Sequence, residues 1–257
     1  MDESIKKIAL LGMGTVGGGV YEILAKQKPN VPAKIGSTLE VAKVLVRNKA
    51  KYADKVPADQ LTDQWSDIID DDSISIVVEV MGGIEPARTY IREALSKGKH
   101  VVTANKDLMA THGHELLEIA REHQCDLLFE AAVAGGIPII RPMKQCLLGN
   151  DITEVMGIIN GTTNFILTKM AEDGMEFDDA LKLATDLGYA EADPTADIEG
   201  YDAGRKLAIM ASIAFHSSVT FDDVYTEGIS KITAKDIRYA HELGYEIKLL
   251  GLAKLTP

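Results

Sequence analysis

With only two cysteines in 257 residues, Cys125 and Cys146, a disulfide framework is excluded, and neither cysteine has a partner at metal-ligand spacing. Long apolar runs are missing too: no stretch reaches the roughly 20 residues that a membrane-spanning helix needs. The amino terminus carries neither the basic nor the apolar region of a secretory leader, so a cytoplasmic location is expected. Basic residues are outnumbered, 27 Lys and Arg against 39 Asp and Glu, and a net charge of −12 argues against a nucleic-acid partner. The histidines are scattered, and the one close pair, His112 and His114, is placed near an expected helix start without a metal signature. What remains, 46% hydrophobic and 26% charged residues, matches a soluble globular chain long enough for two domains.

The first motif lies near the amino terminus. Residues 7–11 form an apolar run of strand length, followed at once by Gly12-Met13-Gly14-Thr15-Val16-Gly17 and a helical pattern through Tyr21, Ile23 and Leu24. This is G-x-G-x-x-G between a strand and a helix, the context that gives it meaning. Gly12 permits the tight turn, Gly14 lets a pyrophosphate approach the backbone, and Gly17 lets helix pack on strand. The phosphates would sit at the helix amino terminus, where Thr15 and Val16 begin the first turn. A dinucleotide site is therefore expected. The next strand, residues 39–46, ends in Arg47-Asn48-Lys49, where an acid usually meets the ribose 2′-hydroxyl of NAD. Arg47 can pair with the 2′-phosphate of NADP, or stand as a solvated cation at a strand end.

Strands at 74–80, 100–103 and 125–130 alternate with helical patterns at 86–97 and 113–123, the rhythm of a doubly wound parallel sheet of Rossmann type. Ligands of such sheets bind outside the carboxyl ends of the strands, which places Thr103 and Lys106 toward the nicotinamide end of the cleft. From about residue 141 the pattern changes. A strand at 152–159, a turn and helix start at 160–164, helices at 177–187 and 233–243 and a strand at 245–253 describe an α+β domain. The expected division is 1–140 and 141–257. Thr162 or Thr163 can cap the helix that starts there.

Residues 187–206 concentrate charge where packing asks for none. Gly188 ends one helix, Pro194 holds Asp193 extended, and a buried apolar helix begins near Tyr201. Asp202 and Lys206 are one helical turn apart at its start and share a face, with the acid where the macrodipole favours it. An isolated pair of this kind only props up a helix; with Glu191 and Asp197 on the loop that feeds it, the stretch reads as an active site.

The spacing of Gly188, Asp193-Pro194, Asp197-Ile198, Gly200, Asp202 and Lys206 resembles the homoserine dehydrogenase family, and the resemblance runs along essentially the whole chain. It implies NAD(P)-dependent interconversion of L-homoserine and L-aspartate 4-semialdehyde, in the pathway toward threonine and methionine, by a homodimer. By that resemblance Lys206 moves the proton, Asp202 orients Lys206, and Lys106 polarises the substrate oxygen or shares the proton work. Glu191 and Asp197 would take the substrate ammonium, and Gly161 and Thr162 match positions that touch the substrate. A sodium ion would be held at the positions of Glu130, Val133, Gly135 and Ile137, mostly through main-chain oxygens. One departure from the family pattern is expected to matter: members usually continue past the position of Pro257, so the alternative is a catalytically silent NADP-binding fragment.

Overall fold

In the computed structural model, which describes residues 4–256, the chain divides into two units, Met1–Gly136 and Ile137–Pro257. Each has its own sheet and core.

The first unit runs β1 (Ser4–Leu11), α1 (Thr15–Gln27), α2 (Val31–Ile35), β2 (Ser37–Leu45), β3 (Leu61–Thr62), α3 (Ser66–Ile69), β4 (Ile74–Glu79), α4 (Ala87–Ser96), β5 (His100–Thr103), α5 (Lys106–Glu122) and β6 (Leu127–Leu128). Its sheet has the order β3-β2-β1-β4-β5-β6 with every pairing parallel, the doubly wound arrangement of a dinucleotide fold. The strands read as continuous apolar runs because helices cover both faces: Ala9, Leu10 and Leu11 are all fully buried. Strand order reverses between β1 and β4, the switch point at whose carboxyl ends sheets of this kind bind their ligands.

Two expected elements differ. The strand expected at 125–130 shrinks to Leu127–Leu128, because β6 is at the sheet edge and, among the described residues, pairs only with β5. Glu130 instead begins a short 3-10 turn, Glu130–Ala132. The helix expected from residue 113 starts at Lys106: the Asn105 side chain accepts from the Leu108 N–H at 3.1 Å and caps it seven residues earlier than periodicity suggested. His112 and His114 consequently lie in mid-helix, facing Glu115 and Glu118.

The second unit runs β7 (Glu154–Gly157), α6 (Gly161–Glu172), α7 (Phe177–Asp186), α8 (Thr195–Ile198), α9 (Tyr201–Ala214), α10 (Ala234–Glu242) and β8 (Gly251–Lys254). Strands β7 and β8 pair antiparallel, Glu154 opposite Lys254 and Gly157 opposite Gly251, and both lie against α9. They are shorter than the runs at 152–159 and 245–253 because, among the described residues, each has only the other strand to bond. Ile247 and Leu249, expected in a strand, pack instead on the core of α6 and α7 formed by Ile166, Leu167, Met170, Ala180 and Ala184. Helix α9 is mostly buried, and from Leu207 to Ala211 it is apolar and buried on every side. Among the described residues no helix is long and apolar enough to cross a membrane.

Candidate active site

The β1–α1 turn is held open by steric necessity. Gly12 has φ +99°, and a Cβ there would lie 3.0 Å from the Val80 carbonyl oxygen. A Cβ on Gly17 would come within 2.1 Å of the Gly12 oxygen, so no side chain fits between helix and strand. Gly14, by contrast, meets nothing within 4 Å. It is the N-cap of α1 and offers no side-chain cap, which leaves the first-turn amides of Thr15, Val16 and Gly17 for an anion in open space. Past the end of β2, Lys49 is tied to Asp63 at 3.1 Å, whereas Arg47 is exposed and makes no ion pair among the described residues. The residues fit an NADP phosphate backbone and a 2′-phosphate.

Thr103 sits inside the unit rather than on its surface. Its hydroxyl donates to Glu79 Oε2 at 2.7 Å and accepts from the Asn105 N–H at 3.0 Å. The other oxygen of the fully buried Glu79 takes the Met81 and Gly82 N–H groups, while Asn105 Nδ2 donates to the Gly83 carbonyl. This network ties the loops after β4 and β5 together. Lys106, half-buried, is the first residue of α5. Glu130 is half-buried and Val133 buried; Gly135 and Ile137 are exposed, Ile137 being the first residue of the second unit. Among the described residues no group of three or more His, Cys, Asp or Glu could hold a metal.

The second unit contains a cleft of about 590 Å³, walled by the start of α6, the loop after α7, α8 and the first turn of α9. Helix α7 ends at Gly188 with φ +78°, and the Tyr189 N–H returns to the Ala184 carbonyl at 2.8 Å. Tyr189 thereby reaches α6: its ring lies 4.7 Å from that of Phe165, and its carbonyl accepts from the Thr162 hydroxyl at 2.9 Å. Asp193 then accepts from the Thr195 N–H and opens α8, and those Thr195 hydrogen bonds hold its carboxyl below the ordinary aspartate value. Gly200, at φ +80°, separates α8 from α9; a Cβ there would stand 3.2 Å from the Glu227 carbonyl oxygen.

That break delivers Asp202, only 5% exposed, to the floor of the cleft. Lys206 Nζ lies 2.5 Å from Asp202 Oδ2 and donates to the Ile159 carbonyl at 3.0 Å, which engages two of its three N–H groups. Asn160, also buried, donates from Nδ2 to Asp197 Oδ1 at 2.7 Å and to Asp202 Oδ2 at 2.9 Å. The cleft thus combines a fixed ammonium, two carboxylates and the amino-terminal amides of α6. It can bind a small zwitterion and move one proton.

Of the residues expected in a substrate site, Gly161, Thr162, Asp197, Asp202 and Lys206 line this cleft; Glu191 is exposed and is not among its walls. Sequence reasoning missed Asn160, Asn164, Phe165, Thr168 and Tyr189. The cap expected from Thr162 or Thr163 is made instead by Asn160, whose Oδ1 accepts from the Thr163 N–H at 2.9 Å because it stands just outside the first turn of α6; a cap in any case announces a helix and not a bridge between acids.

Two family models match the chain: one described as homoserine dehydrogenase, NAD binding domain, over residues 12–130, and one described as homoserine dehydrogenase over residues 138–256. The homoserine dehydrogenase of Bacillus subtilis (strain 168) is 48% identical over 249 residues, 96% of this chain and 58% of its own length. The crystal structure of a homoserine dehydrogenase from Thiobacillus denitrificans superposes with a TM-score of 0.94 at 48% identity, covering 99% of this chain and 59% of that one. A hyperthermophilic archaeal homoserine dehydrogenase in complex with NADPH superposes with a TM-score of 0.80 at 26% identity, covering 97% and 79%. The chain spans little more than half the length of the two bacterial proteins.

Proposed function

The chain belongs to the homoserine dehydrogenase family, and on that premise we propose that it interconverts L-homoserine and L-aspartate 4-semialdehyde with NADP or NAD. The observation that carries the reading is the Lys206–Asp202 pair, fixed at 2.5 Å in a cleft that also holds Asp197 and the start of α6.

The nicotinamide, when bound, supplies or accepts the hydride. In the oxidising direction the Lys206 amine takes the hydroxyl proton as the hydride leaves the same carbon, and the alcohol becomes an aldehyde. In the reducing direction the Lys206 ammonium returns that proton to the aldehyde oxygen. Asp202 and the Ile159 carbonyl hold Nζ so that its remaining N–H is free for the substrate oxygen. Asp197 on α8 attracts the substrate ammonium, Glu191 adds negative charge from the loop before α8, and the Gly161 and Thr162 amides meet the substrate carboxylate. Lys106 is the second cation, polarising the substrate oxygen.

Gly12, Gly14, Thr15, Val16 and Gly17 hold the pyrophosphate, Arg47 the 2′-phosphate, and Thr103 braces the loops around the nicotinamide. The archaeal relative that was crystallised with NADPH supports NADP as one cofactor. A sodium ion suits the Glu130 carboxylate with the main-chain oxygens of Val133, Gly135 and Ile137, a hard oxygen donor set. A cytoplasmic homodimer acting in threonine and methionine biosynthesis completes the reading.

The test is homoserine-dependent reduction of NADP and of NAD, followed at the nicotinamide absorbance with sodium or potassium present. Turnover is expected. Retained NADP binding with no turnover of homoserine would overturn the proposed activity for this chain.

A further inference from the structure

The structure assigns Asn160 a role no motif announced: we propose that it is the positioning residue of the site, one carboxamide that holds Asp197 and Asp202 together and so sets the acid that holds Lys206. The inference rests on the reading of Lys206 as the proton-transfer group.

Three observations converge. First, the orientation of the amide is fixed. Asn160 Oδ1 is consumed by the Thr163 N–H at 2.9 Å and the Thr163 hydroxyl at 3.0 Å, so Nδ2 must face the acids and a flipped amide would lose the α6 cap. Secondly, both donors of Nδ2 are spent on different carboxylates, Asp197 Oδ1 at 2.7 Å and Asp202 Oδ2 at 2.9 Å. Two like charges brought together repel, and a buried neutral donor shared between them offsets that repulsion. Thirdly, Asp202 Oδ2 is the oxygen that also takes Lys206, and the Ile159 carbonyl, one residue before Asn160, takes the same ammonium. Consecutive residues at the entrance to α6 therefore fix both members of a pair carried on α9. At 4% exposure Asn160 lies deep in the wall of the cleft, with Nδ2 spent on the two acids and Oδ1 on Thr163.

Two variants separate positioning from capping. Asn160→Ser keeps a good helix cap but is too short to bridge the acids. Asn160→Asp keeps size and cap acceptor, and turns the donors into a third carboxylate facing Asp197 and Asp202. Both are expected to retain NADPH affinity, since the glycine turn lies in the other unit. Both should lower kcat on the order of ten- to a hundredfold, Asn160→Asp more severely. A purely structural loss would not give the second signature: in aspartate-semialdehyde reduction the ratio of Asn160→Asp to wild-type kcat rises as pH falls, because the protonated carboxyl donates again, with Asp197, Asp202 and Lys206 the charged groups around it. The third readout needs no turnover. The ammonium of Lys206, assigned by its disappearance in Lys206→Arg, gives a slowly exchanging NMR cross-peak in the wild type that both variants lose. Wild-type kcat with a retained cross-peak in both folded variants would overturn the inference while the dehydrogenase reading stands. A lost cross-peak in a chain that never turns over homoserine would support the positioning role and remove the dehydrogenase reading.

Discussion

Glu79 and Thr103, twenty-four residues apart, meet side chain to side chain at 2.7 Å in the interior of the nucleotide unit. A fully buried carboxylate is costly unless its oxygens are satisfied, and here the donors come from the last residue of β5 and from the loop that follows β4. Thr103→Val removes the hydroxyl at nearly constant volume and leaves Glu79 Oε2 a donor short. The expected loss is about 1–3 kcal/mol, read as a lower urea midpoint at unchanged m-value.

The glycine turn separates a steric requirement from a binding one. Gly14→Ala adds a methyl to open space, so the fold should survive while the pyrophosphate loses its approach to the backbone; NADPH affinity is expected to fall by about tenfold or more with little change in midpoint. Gly17→Ala drives a Cβ to 2.1 Å from the Gly12 oxygen, and the backbone itself must yield. That variant should lose both affinity and stability. Isothermal titration beside thermal unfolding distinguishes the two.

These contrasts show which features were legible in the residues. Gly12 and Gly17 act within one turn, so spacing along the chain was enough to place them. The same holds for Gly188 as a helix stop and for Asp202 with Lys206, whose partnership is set by helical pitch. The start of α5 was hidden because Asn105 follows a strand directly, and its cap looks like loop chemistry. The one-turn α8 is too short for any period to show. Asn160 reaches acids 37 and 42 residues away, and such bonds exist only once α6, α8 and α9 have packed. The edge position of β6, which cut an expected strand to two residues, is likewise a property of the sheet and not of its local sequence.

Helix α10 begins with a reciprocal cap: the Thr233 side chain accepts from the Asp236 N–H, while Asp236 takes the Thr233 N–H and hydroxyl. Those bonds, the hydroxyl first, hold the Asp236 carboxyl below its ordinary value of 3.8. A depressed acid stabilises the fold above its unfolded value, and that contribution disappears as pH falls through the lower folded value. Amides at the start of α10 should therefore keep their protection down to the ordinary carboxylate range and lose it below. In Asp236→Asn that acid-dependent step is expected to vanish from the exchange profile.

Lys206→Ala tests the chemistry most directly, but it leaves Asp202, 5% exposed, without its cation. Breaking such a pair costs about 3–5 kcal/mol, so a bare activity loss would be ambiguous. The informative comparison adds Asp202→Asn: the double variant removes the charge with its partner and should recover most of the stability lost by Lys206→Ala alone. Turnover should not recover, because the proton carrier is still missing; both forms are expected to fall by roughly a hundred- to ten-thousandfold in kcat. NADPH affinity should stay at the wild-type value in both, since the β1–α1 turn belongs to the other unit. Recovery of kcat in the double variant would show that Lys206 supports the fold of the cleft and that another group carries the proton.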